Sequence, residues 1–252
     1  MKCRIRTKTY ICGLYKHVFI YPVLSTGGRG RRKRYKPTSE VQAAVNARHA
    51  EKRLEMILET NFDSNDYFFT STYLPEKRPK NDTEAMKEAK NFIRRLKYRC
   101  KKKGLPDPKA VWCTELSKEH RLYHHHFVIK CGLSYDELAA VWGKGRTNGG
   151  KLHFDSDGMS GLSKYLPKEP VGEVRYHATR NLNKPVEQQN DGTSQKEFNR
   201  IFDEVYFHQR SELENRYRDY FVNDNSLTAY EGLAGCRFIY IKLYRKNQRN
   251  RS

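Results

Sequence analysis

Runs of apolar residues at strand-like and helix-like spacing alternate along this chain. Strands are predicted where aromatic and β-branched residues cluster, at "DYFFTSTYL" (66–74), "KAVWCTEL" (109–116), "RLYHHHFVIK" (121–130) and "CRFIYIKLY" (236–244). Apolar residues at helical spacing predict one helix from Thr38 or Ser39 to about Thr60. A second helix is predicted to begin at Asp82 or Thr83 and to end at Gly104.

Weaker patterns fill the remaining segments. "SYDELAAVW" predicts a short helix, "GKGRTNGG" (143–150) a glycine-rich turn, and "KLHFD" (151–155) a strand, with a further helix from about Ser160. The polar stretch 183–195 is interpreted as a loose segment, followed by one long helix from about Gln195. Residues 1–37 are expected to be irregular, apart from a short hairpin around "HVFIYPVL".

This order of elements predicts an α+β protein with a central antiparallel sheet flanked by helices. Three segments are expected: a basic N-terminal arm and helix at 1–60, a core at 61–183, and a C-terminal helix and strand at 184–252. The last segment either completes the same domain or forms a separate module.

Charge indicates the partner class. The 252 residues include 49 Lys and Arg against 29 Asp and Glu, a net charge of +20, which favours polyanions and above all nucleic acid. No apolar run reaches the roughly 18 residues of a membrane-spanning helix, and Lys16 and His17 interrupt the best signal-peptide candidate. The six cysteines have no regular spacing and are interpreted as reduced thiols, so we expect a cytoplasmic protein of a bacterial host cell.

Two basic runs are candidate DNA contacts, at "RGRRKRYK" (29–36) and "RRLKYRCKKK" (94–103). The alternative for either run is a solvated face or tail. The predicted DNA-binding residues are Arg29, Arg31, Arg32, Lys33, Arg34, Lys101, Lys102, Lys103 and Lys164.

The three consecutive histidines at 124–126 indicate a metal site. Strand side chains alternate between faces, so His124 and His126 share one surface while His125 faces the core. If Ser117 lies opposite Leu122, Glu115 faces His124 and Cys113 faces His126 across a hairpin. One carboxylate and two imidazoles suit Mg²⁺ or Mn²⁺ better than Zn²⁺.

Other interpretations of these residues stay open. The histidines could be a surface cluster beside an unrelated glutamate, or Cys113 could join His124 and His126 in a zinc site. His153 is an outside candidate for an accessory ligand or substrate contact, and His120 is expected to be solvated.

A metal on a polycationic protein suggests phosphodiester chemistry, which needs a nucleophile. Tyr165, in "GLSKYLPKE", is flanked by Lys164 and Lys168. Neighbouring ammonium groups would favour its phenolate or neutralise developing charge. With 17 tyrosines in the chain, a packing role for Tyr165 is the alternative.

Three motifs in a fixed order resemble the HUH endonucleases, the rolling-circle replication initiators (Rep proteins) of phages and small plasmids. They are "YFFTSTY" (67–73), Glu115 with "HHH", and the Y-x-x-K pair Tyr165 and Lys168. This resemblance implies an RRM-like Rep/HUH nuclease fold, with the metal held by His124, His126 and Glu115. His125 would stand in for the hydrophobic middle residue.

The resemblance also implies an activity. Tyr165 would attack one strand of single-stranded or hairpin origin DNA, leaving a 5′-phosphotyrosine and a free 3′-OH, with Lys168 stabilising nearby charge. A host helicase and polymerase would be partners, because the sequence shows no ATPase motif. A relaxase or single-strand transposase is the alternative within this chemistry, and a non-catalytic nucleic-acid-binding protein is the alternative outside it.

Two positions depart from the family pattern. Gly161 stands four residues before Tyr165, so a single-tyrosine enzyme is implied. Pro167 lies between Tyr165 and Lys168, and proline disrupts a helix interior, which puts the helical apposition of that pair in doubt.

Overall fold

The computed structural model of the chain describes residues 3–24, 40–117, 122–166, 171, 174–231 and 236–246. The chain divides into two compact units. We call residues Met1–Thr60 with Lys184–Ser252 the terminal unit, and residues Asn61–Asn183 the central unit. The assignment of domains made from the sequence, with an endonuclease core at 61–183, stays a prediction.

Strands and helices alternate irregularly along the chain. In chain order they are β1 (Cys3–Cys12), β2 (Tyr15–Leu24), α1 (Glu40–Asn61), β3 (Tyr67–Ser71), α2 (Asp82–Lys102), β4 (Lys109–Leu116), β5 (Tyr123–Lys130), α3 (Tyr135–Trp142), β6 (Thr147–Lys151), α4 (Ser160–Tyr165), β7 (His177–Ala178), β8 (Val186–Thr193), α5 (Gln195–Tyr206), α6 (Arg210–Arg216), β9 (Tyr220–Glu231) and β10 (Arg237–Arg245).

The terminal unit contains a five-stranded antiparallel sheet in the order β8-β1-β2-β10-β9. Helices α5 and α6 pack on one face of this sheet. The buried core between them includes Ile5, Val18, Ile20, Phe198, Phe202, Leu213, Ile239 and Ile241. These strand residues alternate with polar or aromatic ones, so the other face of the sheet has a different composition.

Three predictions for the terminal unit are wrong. The expected irregular N-terminus forms β1 and β2, and the expected loose segment at 183–195 contains β8. β8 is a polar edge strand that ion pairs anchor to β1, through Arg6 with Asp191 and Lys8 with Glu187. The expected long helix from Gln195 is interrupted at His208, whose φ of 52° leaves the helical region, and is followed by β9.

The central unit is also built on a five-stranded antiparallel sheet, in the order β6-β3-β5-β4-β7. Helices α2 and α3 cover one face, around a core that includes Phe69, Phe92, Leu96, Trp112, Phe127, Ile129 and Trp142. α2 is capped by Asn81, whose side chain accepts from Glu84 N, and not by Asp82 or Thr83. The predicted α+β class with antiparallel sheets and flanking helices is confirmed, although the described residues form two sheets where one was expected.

The glycine-rich turn was a wrong prediction, because its second half is the edge strand β6. Gly149 has φ of 142°, and a Cβ there would lie 2.1 Å from the carbonyl oxygen of Phe68 on the paired strand. Glycine is therefore required for this strand to approach β3. The strand predicted near "KLHFD" extends only to Lys151.

Within the described ranges, no helix combines the length and apolar composition needed to cross a membrane. The cysteines described there as free thiols are Cys12, Cys100, Cys113, Cys131 and Cys236, in agreement with the expectation of reduced thiols.

Candidate metal centre and nucleophile

The β4–β5 hairpin has the register that the sequence predicted. Ser117 N donates to Leu122 O over 2.9 Å, at the position where the hairpin closes. Glu115 pairs with His124, and Cys113 pairs with His126. The loop at 118–121, which includes His120, lies outside the described residues.

This register brings a carboxylate and two imidazoles together on one face of the sheet. Glu115 Oε2 lies 3.2 Å from His124 Nε2 and 3.4 Å from His126 Nε2. Burial alone would raise the pKa of Glu115, but hydrogen bonds from both histidines lower it to about 2. The hydrogen bond to Glu115 raises the pKa of His124 above its usual value. The cluster is thus an anion flanked by two nitrogen ligands.

The donor set fits a divalent cation. One ligand atom from each of Glu115, His124 and His126 can be chosen so that all lie within 4.8 Å of one another, and ligands of one ion are separated by such distances. Two nitrogens and one oxygen leave coordination positions for water or substrate. Glu115 and His124 are partly exposed, so substrate oxygen atoms can approach.

Cys113 is not one of the clustered ligands. Its thiol is buried and lies 3.9 Å from Glu115 Oε1, as a hydrogen-bond donor. Burial and the Glu115 charge raise the pKa of Cys113. A thiol that stays protonated is a poor zinc ligand, so the geometry does not favour the zinc alternative.

Strand β3 supplies two functional candidates that sequence reasoning missed. Thr70 Oγ1 lies 2.9 Å from His126 Nδ1, and the Phe68 ring stacks on the His126 ring with centroids 5.8 Å apart. Thr70 pairs with His126 in the β3–β5 ladder, and strand alternation places Phe68 on the same face. The motif "YFFTSTY" contained both residues, but the pairing of β3 with β5 was needed to reveal their contacts.

His125 has a structural role, as its predicted orientation toward the core implies. It is fully buried, with Tyr73 Oη 2.6 Å from Nε2 and Thr114 Oγ1 2.9 Å from Nδ1. Burial lowers the pKa of His125 to about 3. A neutral imidazole donates from one nitrogen and accepts at the other, so the two hydroxyl groups satisfy it without a metal.

Tyr165 lies at the end of α4, directly beside the cluster. Its hydroxyl oxygen is 3.4 Å from His126 Nε2, and its ring contacts the rings of His126 and Phe68. The side chain is exposed. Burial of part of the ring, followed by the charge of Glu115, raises the pKa of Tyr165. An accessible phenol at this distance can reach a phosphate that approaches the cluster.

The predicted basic residues are placed unevenly. Lys164 is exposed on α4, next to Tyr165. Lys101, Lys102 and Lys103 are exposed at the end of α2, a helix that packs on the sheet face opposite the cluster. Lys168 and the arm residues Arg29, Arg31, Arg32, Lys33 and Arg34 lie outside the described residues.

His153 does not join the metal cluster. It lines a separate cavity together with Phe68, Lys151, Asp155, Met159 and Leu162. Phe68 also contacts His126 and Tyr165, so this cavity adjoins the cluster. A substrate contact for His153 stays a prediction.

Comparison with known proteins identifies the segment that carries this site. No curated protein and no solved structure matches the chain. Residues 66–170 match the family model of the replication-associated protein ORF2. This segment begins just before β3 and includes Glu115, His124, His126 and Tyr165, so over these residues the chain is a member of the ORF2 family of replication-associated proteins, and the predicted resemblance to rolling-circle initiators is confirmed.

Proposed function

We propose that the protein is a site-specific, metal-dependent single-strand DNA endonuclease and strand transferase that initiates rolling-circle replication. The observation that carries the proposal is the 3.4 Å distance between Tyr165 Oη and His126 Nε2, within a cluster that also contains His124 and Glu115. It joins a potential nucleophile to a potential metal centre across two separate elements, β5 and α4.

In the proposed reaction, Tyr165 Oη attacks the phosphorus of one phosphodiester. A bond forms between Oη and phosphorus, and the bond from phosphorus to O3′ breaks. The phenolic proton leaves Tyr165, and the departing oxygen takes up a proton to become a 3′-OH. The product is a 5′-phosphotyrosine, a diester like the one broken, so the reverse reaction can religate the strand without ATP.

Each residue of the site has a proposed part in this reaction. Glu115, His124 and His126 would hold a divalent ion, Mg²⁺ or Mn²⁺, which when bound polarises the scissile phosphate. Phe68 packs against both His126 and Tyr165 and so fixes the distance between them. Lys164, and Lys168 as the resemblance implies, would offset negative charge near the phosphate.

The substrate and partners follow from charge and family. A net charge of +20 supports binding of a polyanion, and the family match at 66–170 concerns replication-associated proteins. Origin DNA, single-stranded or in a hairpin loop, is the proposed substrate. A host helicase and polymerase are proposed to unwind and extend it from the 3′-OH.

The test uses end-labelled oligonucleotides. The full chain is incubated with Mn²⁺ and a pool of stem-loop oligonucleotides with randomised loops, and the products are separated on a denaturing gel. We expect a 3′-labelled strand to migrate with the protein, whereas a 5′-labelled strand is released with a free 3′-OH. Tyr165→Phe or EDTA should abolish the adduct.

Tyr98→Phe is the matched control, since Tyr98 is an exposed tyrosine of the same unit, located on α2. It should form the adduct at the normal rate. Binding of DNA without any adduct, across sequences and metals, would instead favour the non-catalytic nucleic-acid-binding protein. An adduct that persists in Tyr165→Phe would assign the nucleophile to another residue.

A further inference from the structure

The terminal unit presents a row of aromatic rings across four strands of its sheet. Arg6 pairs with Tyr21 between β1 and β2, and Phe238 pairs with Tyr230 between β10 and β9. The Tyr21 and Phe238 rings are stacked, with centroids 6.3 Å apart and an interplanar angle of 22°. Phe238 and Tyr230 are 5.2 Å apart. The three rings form a continuous surface, which we call the aromatic row.

A second line of residues extends this surface along the sheet. Lys8 pairs with Phe19, and Phe19 pairs with Tyr240. The Phe19 ring lies 6.3 Å from Phe238, which links the two lines. Cations of β1 therefore border rings of β2 and β10 in both lines.

This face differs from the one that forms the core. The residues facing α5 and α6, such as Ile20 and Ile239, are buried. Phe19, Tyr21 and Phe238 are only half-buried, and Tyr230 is 52% exposed. The described α1 side chains that contact this face meet it at Tyr240 and Lys242, away from the aromatic row.

We propose that the aromatic row is a binding surface for single-stranded DNA, on which unpaired bases stack. Antiparallel sheets with exposed aromatic residues bind single strands in this way, because every base has a flat face that can lie on a ring. The proposal goes beyond the nicking reaction, since it concerns a different sheet and does not require the metal cluster.

Charge favours nucleic acid as the occupant. Arg4, Arg6 and Lys8 line the edge of the surface, and Arg4 is largely exposed. Asp191 and Glu187 on β8 hold Arg6 and Lys8 in place, which leaves one more cation than carboxylates along this edge. Together with the net charge of +20, this surplus matches a phosphate backbone better than an apolar protein partner.

The test separates stacking from catalysis. Binding of a fluorescein-labelled oligodeoxythymidylate is measured by anisotropy in EDTA, with the full chain carrying Tyr165→Phe so that no adduct can form. Tyr230→Ala should weaken binding by about fivefold or more, and adding Tyr21→Ala by about tenfold or more. Tyr230→Trp should retain affinity, because it keeps a ring in place.

Tyr206→Ala is the control, because Tyr206 is similarly exposed but lies on α5, on the opposite side of the sheet. It should change affinity by less than about twofold, as expected for a side chain that no base touches. Affinity for duplex DNA should be unchanged in all variants, since paired bases cannot lie on the rings. Equal single-strand affinity in every variant would overturn the proposal and leave a protein partner as the occupant.

A second measurement does not depend on whether the variants fold. An oligonucleotide with 4-thiothymidine is photocrosslinked to the chain, and the attached peptides are identified by mass spectrometry. Crosslinks at Tyr21, Phe238 or Tyr230 are expected. Crosslinks confined to residues 61–183 would contradict the proposal, whether or not the protein proves to nick DNA.

Discussion

Thr70 Oγ1 and His126 Nδ1 lie 2.9 Å apart, and this contact determines which nitrogen of His126 faces the cluster. With Nδ1 occupied by the hydroxyl group, Nε2 is directed toward Glu115 Oε2 at 3.4 Å and Tyr165 Oη at 3.4 Å. Such contacts fix the orientation and tautomer of a metal-binding histidine. Thr70 is therefore a positioning residue for the proposed metal centre.

Thr70→Val should weaken Mn²⁺ binding by about 10- to 100-fold, because the isosteric side chain keeps the packing but loses the hydrogen bond. Isothermal titration of the chain with Mn²⁺ measures this affinity without DNA. Thr70→Ser restores the hydroxyl group and should bind Mn²⁺ nearly as tightly as the original chain. Equal affinity in Thr70→Val and the original chain would contradict a positioning role.

Gly149 and Gly150 give a matched pair of substitutions in β6. Gly149→Ala should lower the free energy of unfolding by about 2 kcal/mol or more, because a Cβ there would meet the Phe68 carbonyl at a φ of 142°. Gly150→Ala meets nothing within 4 Å and should change stability by less than about 1 kcal/mol. Urea denaturation compares the two, and similar losses would show that close backbone approach is not the cause.

Metal binding should depend on pH through His124. The hydrogen bond to Glu115 raises the pKa of His124 above 6.5, and only a neutral imidazole binds a metal. Affinity for Mn²⁺ should therefore fall as the pH drops through the pKa of His124, and binding should release protons. Titrations between about pH 6 and pH 8, in buffers of different ionisation enthalpy, measure both effects. Affinity that is constant over this interval would remove His124 from the ligand set.

A buried ion cluster should stabilise the terminal unit. Lys242 Nζ lies 2.5 Å from Glu55 Oε1 and 2.7 Å from Glu59 Oε1, and all three residues are buried. Lys242→Met leaves two carboxylates without this buried cation and should cost about 3–5 kcal/mol. The control Lys196→Met, at an exposed position on α5, should stay within about 0.5 kcal/mol. Denaturant unfolding followed by circular dichroism distinguishes them.

The same cluster predicts an acid dependence of stability. Burial would raise the pKa of Glu55, but the charge of Lys242 holds it below the usual value of 4.5. This contribution to stability is present above pH 4.5 and is lost as the pH falls through the folded-state pKa. Glu55→Gln should therefore show a shallower loss of stability in acid than the original chain. Identical slopes in urea unfolding at several acidic pH values would refute this.

Local features of the sequence predicted the hairpin of the site, and distant contacts did not follow from it. Alternation along β5 and a short loop determine that Glu115 faces His124, since both act over a few residues. The contacts of Thr70 and Tyr165 with His126 depend on how β3 and α4 are placed, which no local pattern specifies. Hydrogen bonds to His125 likewise come from Tyr73 and Thr114 on two other segments.

The terminal unit was harder to predict because its strands break the usual composition rules. β1 carries Arg4, Arg6 and Lys8, and β8 is almost wholly polar, so neither has the apolar content expected of a strand. Pairing across the sheet, with ion pairs to Asp191 and Glu187, stabilises them in place of burial.

Asn61 and Asn183, the first and last residues of the central unit, bind each other through two hydrogen bonds. Asn61 Nδ2 donates to Asn183 O over 2.9 Å, and Asn183 N donates to Asn61 Oδ1 over 2.7 Å. The central unit thus enters and leaves the chain at one point, as an inserted domain does. Such a module can be cut out, or exchanged for another nuclease, at a single junction that interrupts no strand of the sheet formed by the flanking halves.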